Sequence, residues 1–177
     1  MERSDDMLKA ITGEVRAEPL NENFSYLDSK INGVKISDAR EFGAVGDGLT
    51  DDTHALQEWL NAEGKNKVLR DGVYRITSGL ISTEIGRTIK SEGAKILADE
   101  IDIVCLTVTG HNSRIALEID GKNKASGGVL IKADLFEVSN SRVENLKGTN
   151  RKSYGIRAET NGGVRISENF IRNISSE

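Results

Sequence analysis

Asp47, Asp51 and Asp52 lie within six residues of one another and invite a chemical reading first. Clustered carboxylates bind hard cations, and a carboxylate pair can serve as general acid and base. The local sequence favours a structural use. Asp47 sits in a turn between Gly46 and Gly48, and Asp51 and Asp52 stand where a helix begins, beside the positive end of its dipole. His54 and His111 each lack a second His or Cys at a metal-ligand spacing. Asp99, Glu100 and Asp102 read as a solvated loop. Cys105, the single cysteine, lies in the apolar run Ile103-Val104-Cys105-Leu106 and reads as a buried, inert thiol. Asn145 and Asn173 are 28 residues apart and read as stacked side-chain amides. A sugar site is disfavoured because sugar grooves use exposed aromatics, and aromatic residues are 5% of the chain. The catalytic residues are left unassigned, and no metal or cofactor is expected.

Composition bounds the class. The 177 residues are enough for a substantial core. With 18 Gly, one Pro and many Asn, Ser and Thr, the chain suits short strands joined by tight turns. The net charge of −4, with scattered Lys and Arg, argues against a nucleic-acid partner. No apolar stretch approaches the roughly 20 residues of a membrane span. The N-terminal Met-Glu-Arg-Ser-Asp-Asp lacks the features of a secretion signal, which points to synthesis in the cytoplasm.

Three zones must position these residues. In residues 1–34, Leu20, Phe24, Leu27 and Ile31 recur at steps of four, three and four, a heptad-like stripe on one helix face. Pro19 suits the first turn of that helix and Asn32-Gly33 its end. Such a helix must bury its stripe on another surface. A shorter helical pattern covers residues 5–11. Residues 35–93 contain a strand-like start, a turn through Gly46-Asp47-Gly48 and a helix over 51–63. Thr50 or Asp51 would cap that helix, Ala55, Leu56, Trp59 and Leu60 would form its buried face, and Gly64 would end it. Short strands at 67–69 and 72–76 would flank an Asp71-Gly72 turn.

Residues 94–177 carry a repeat. Ile115, Val143 and Ile171 fall at steps of 28, as do Val138 and Ile166, Asn145 and Asn173, and Leu146 and Ile174. Val129 and Ile156 are 27 apart. A period in the twenties means stacked units. The local alternation of Ile115, Leu117 and Ile119 is a strand period, so each unit is a coil of a parallel β-helix and not a helix pair. About three coils are expected in this zone, as the front of a longer protein.

The run from Ala39 to Gln57, with Phe42-Gly43-Ala44, Gly46-Asp47-Gly48 and Thr50-Asp51-Asp52-Thr53, resembles the opening motif of the pectate-lyase-like β-helix superfamily found in phage tailspikes. Asp71-Gly72-Val73-Tyr74 is similar to that family's Pro-Gly-x-Tyr strand, with Asp71 in the Pro position. Residues 13–27 resemble N-terminal attachment segments of phage tail fibres and appendages, and the pre-neck appendages of small Bacillus phages are the members most in view. The resemblance implies a mainly β fold, a right-handed parallel β-helix whose open start is roofed by the 51–63 helix through Asp51, Ala55, Leu56, Trp59 and Leu60. It also implies a homotrimer held in the virion, in a tail or neck appendage, by the N-terminal segment. On that reading Leu20, Phe24, Leu27 and Ile31 meet a connector, collar or tail protein, and later regions meet a host cell-surface glycan. The alternative is a lyase or hydrolase of the same fold that degrades a glycan or teichoic acid. The motif occurs in non-enzymatic members too, so it marks a fold and not a reaction. A cellular pectate-lyase-like enzyme is disfavoured by the missing secretion signal.

Overall fold

The computed structural model describes residues 35–149 and 152–176. The helical patterns read at 5–11 and 19–33 lie outside these residues. The described chain is a parallel β-solenoid of about five turns. Its coils run over three faces. The first stacks β1 (Ile36–Asp38), the first half of β3 (Asn66–Ile76), the first half of β5 (Thr88–Ala98), β7 (Arg114–Ala116), β10 (Phe136–Ser139) and β13 (Val164–Ser167). The second stacks β2 (Asp47–Asp51), the second halves of β3 and β5, β8 (Glu118–Asp120), β11 (Arg142–Gly148) and β14 (Phe170–Ser176). The third stacks β4 (Leu80–Ser82), β6 (Val104–Val108), β9 (Gly127–Ile131) and β12 (Tyr154–Ala158). A 3-10 turn at Ala39–Phe42 and one helix, α1 (Thr53–Asn61), interrupt the first coil.

Strand alternation sends every second side chain inward, where parallel registry piles like on like. The first face buries Lys67, Ile89, Ile115 and Val138 in one column that continues to Ile166. The second runs Tyr74, Ile96, Ile119, Val143, Ile171. The third runs Leu80, Leu106, Val129, Ile156. Each aliphatic side chain so buried stabilises the stack by about 1.5–3 kcal/mol. The last coil is the least covered: Ile166, Phe170 and Ile171 remain 46%, 52% and 43% exposed.

This registry corrects the repeat. Val143 and Ile171 do stack, but Ile115 does not share their column. It pairs with Val138 on the first face, 23 residues on, while Val143 sits on Ile119, 24 residues before it. The step of 28 holds for the final coil, in Val138 to Ile166 and Val143 to Ile171. Corner loops absorb the difference, because residues added there leave the strand stack untouched. The stack also begins earlier than residue 94. Residue 93 falls inside β5, where Gly93, at φ 66°, bends the chain from first face to second.

The Asp71-Gly72 turn is likewise a bend within one continuous strand. Asp71 at φ 29° and Gly72 at φ 155° turn β3 from one face to the next, so its halves do not pair with each other. A Cβ on Gly72 would lie 2.7 Å from the Gly46 carbonyl oxygen, which excludes larger residues.

Candidate functional site

The start of the solenoid is built around α1. Leu56, Trp59 and Leu60 are buried and Ala55 is half-buried, and the indole Nε1 of Trp59 donates to the Ser37 carbonyl at 2.9 Å. The helix occupies 53–61, shorter at both ends than the 51–63 read from sequence. Its N-terminus divides the work between two aspartates. Asp51 Oδ1 accepts the Thr53 N–H at 3.0 Å, and its other oxygen accepts the Thr77 hydroxyl at 2.6 Å. Burial opposes ionisation of Asp51, but the Thr53 hydroxyl, the Thr77 hydroxyl and the Thr53 N–H together outweigh it and hold the carboxyl below its ordinary value. Asp52 stands at the N-cap without capping the helix. Its buried carboxylate turns back to accept the N–H groups of Val45 at 2.7 Å and Gly46 at 3.0 Å. Asp47 accepts the N–H groups of Thr50 at 2.7 Å and Leu49 at 2.8 Å, and these bonds lower its pKa. Each carboxylate thus organises its own turn, and the three do not converge on a common centre. Among the described residues, no group of three or more His, Cys, Asp or Glu could hold a metal.

The other end of α1 meets two buried cations. Lys67 Nζ donates to the carbonyls of Ala62 at 2.8 Å and Glu63 at 3.0 Å. The Arg87 guanidinium donates to the Leu60 carbonyl and, at 2.8 Å, to that of Ala62. The last carbonyls of a helix are unpaired within it and carry partial negative charge. They are the counterpart for two charges that, among the described residues, have no carboxylate within bonding distance. Burial, helped by the Arg87 charge, pushes Lys67 down to about 8. Neither residue was singled out from sequence. Only the fold reveals the position, by placing Lys67 inward in register with Ile89 and Ile115.

Along the second face several outward charges are paired. Asp99 binds Lys124 at 2.5 Å, Arg75 at 2.8 Å and Lys122 at 3.0 Å, contacts that hold it well below the usual carboxylate range. Burial raises the Glu144 carboxyl, but Arg142 at 3.1 Å and Arg172 at 2.7 Å prevail and lower it. Asn173 donates to Asn145 at 2.9 Å, and Asn145 donates to Asp120 at 3.0 Å, a ladder along the axis. Such anchored carboxylates suit load-bearing more than proton donation, which calls for a raised pKa. His54 is exposed on α1, and His111 accepts the Asp134 N–H at 3.1 Å. Burial pushes the Cys105 thiol up to about 12, so it is not a nucleophile. Leu20, Phe24, Leu27 and Ile31 lie outside the described residues.

The geometry defines a parallel β-solenoid whose first coil carries one short helix. No protein-family model and no curated protein matches the chain. A solved protein of Geobacillus virus E2, ORF18, is similar in structure, with a TM-score of 0.57 at 19% sequence identity. The match covers 75% of this chain and 32% of that one, and at this identity it is a likeness of fold.

Proposed function

We propose that this chain is a structural component of a phage particle, the head-proximal part of a trimeric tailspike or appendage. Residues 1–34 join it to the virion, and the solenoid carries host recognition outward. The observation that carries the reading is the packing of α1 on the first coil: Leu56, Trp59 and Leu60 are buried there, Lys67 and Arg87 bind carbonyls at its C-terminal end, and we read the helix as closing the end from which the coils extend. The fold likeness to a viral protein supports the same reading. A column of paired charges along the shaft fits a load-bearing rod, since pairs such as Arg75–Asp99 and Arg172–Glu144 tie one coil to the next.

The stripe Leu20, Phe24, Leu27 and Ile31 is the proposed contact with a connector, collar or tail protein. The test is assembly in vivo. Particles made with a version lacking residues 1–33 should be devoid of the protein in purified virions, while the truncated protein stays folded by circular dichroism. Its presence in particles at the normal copy number would refute the attachment role.

A further inference from the structure

Successive coils turn from the third face to the first at one corner, through Gly86, Asn112, Leu135 and Gly163. These four residues line a groove of about 620 Å³ together with Arg114, Glu137 and Arg165 of the first face. Gly86 and Asn112 take left-handed φ values of 73° and 54°, as Gly and Asn do readily. Leu135 takes φ 55° at the equivalent place, a conformation that a side chain of its size rarely adopts. It is 69% exposed, so its own packing does not account for the conformation.

What holds the turn is a set of bonds on the preceding residue. The Asp134 carbonyl accepts the Asn112 N–H at 3.1 Å, and the Thr160 hydroxyl donates to Asp134 Oδ1. The Asp134 N–H donates to Nδ1 of His111 at 3.1 Å. Of these three ties, only the histidine carries a group that changes charge near neutral pH. To accept an N–H, Nδ1 must be bare, so the ring is neutral and its proton is on Nε2. A second proton goes to Nδ1 and turns it into a donor. Two donors then face each other, and the Asp134 N–H loses its acceptor. Asp134 Oδ2 lies 4.0 Å from Nδ1, beyond hydrogen-bond length, so pairing with it requires movement. The carboxylate is held in place by Thr160 and by Gly162, where a Cβ would collide with it. The ring or the turn must move instead.

The other charged groups of this corner are Glu84 on the coil before His111, and Lys132 and Glu159 on the coils after it. Lys132 and Glu159 pair with each other at 3.8 Å. Arg87 and Arg114, at the start of the first face, are engaged with carbonyls at the end of α1 and with Glu137. Among the described residues, Asp134 is the one carboxylate at ion-pair distance from the ring.

We infer that His111 is a proton-operated latch on the Asp134–Leu135 turn. Neutral, it locks Leu135 in its left-handed conformation on the rim of the groove. Protonated, it releases the turn, and that rim of the groove changes shape between pH 8 and pH 5.

The test is nuclear magnetic resonance on the perdeuterated full chain across that range. Protection of the Asp134 amide from solvent exchange, taken relative to the intrinsic rate at each pH, should fall about tenfold from pH 8 to pH 5, as for the loss of one hydrogen bond. Leu135 amide and methyl shifts should follow the same curve as the His111 ring protons, while those of buried Leu106 and Ile119 stay constant. In His111→Gln, uncharged at both ends of the range, both responses should vanish. Asp134→Asn removes the nearby carboxylate but keeps the backbone N–H, so the amide of residue 134 should still respond. Loss of that response in Asp134→Asn would assign the effect to the ion pair and overturn the latch. A His111 ring that titrates while the Asp134 amide and Leu135 stay fixed overturns it as well.

Discussion

Lys67 occupies an inward position in a column whose later members are Ile89, Ile115 and Val138. A charge is tolerated there because the carbonyls of Ala62 and Glu63, just past the end of α1, arrive at that level and accept two of its N–H bonds. The compensation is incomplete, which is why the ammonium is pushed down to about 8 from the usual 10.5. The sign of the consequence follows from proton linkage. Between those values the unfolded chain holds the proton and the folded chain has released it, so this site favours folding more as pH rises from 8 toward 10.5. Below 8 the cost of the buried charge is present in full. Lys67→Met should abolish this component. Melting curves of parent and variant from pH 7 to 10 should therefore converge or cross in the parent's favour with rising pH, and parallel curves would show that Lys67 does not titrate in this range.

The element most exposed to a single change is α1. It is nine residues long, too short to persist alone in water. Its stability comes from the apolar end of the stack on which Leu56, Trp59 and Leu60 rest. Trp59 is the only tryptophan and is 1% exposed. Trp59→Ala should cost about 3–5 kcal/mol through the cavity it leaves. Trp59→Phe keeps most of the apolar contact but orphans the Ser37 carbonyl, for about 1–3 kcal/mol. Urea titrations followed by far-ultraviolet circular dichroism will separate the two. A loss below about 1 kcal/mol for the alanine variant would mean that the roof contributes little to the stack.

At the scale of the molecule, a solenoid is stabilised coil on coil, and each coil depends on its neighbours. Strands in the middle of the stack pair on both sides, as β5 does with β3 and with β7 and β8. Among the described residues, β12, β13 and β14 pair on one side only, and their apolar side chains are correspondingly uncovered. In the 177-residue chain, hydrogen exchange should be fastest in β12–β14 and slowest in β5–β8. Uniform protection across all coils would indicate one cooperative unit instead of a graded stack.

Much of the architecture was legible without coordinates. Strand alternation, a period in the twenties and Gly- and Asn-rich corners follow from side-chain chemistry close along the chain, and they specify a stack of coils. The α1 face was readable for the same reason, since Leu56, Trp59 and Leu60 repeat at helical spacing. Registry was decided only by the fold. Coil length varies from turn to turn, so equal spacing placed Ile115 under Val143, while the sheet pairs it with Val138. Long-range meetings were equally hidden. Nothing near Lys67 or Arg87 in sequence announces that both will meet the end of one helix, and nothing near His111 announces that it will accept the Asp134 N–H. Such contacts arise when the chain winds back on itself, and local patterns carry no record of how many residues each winding takes.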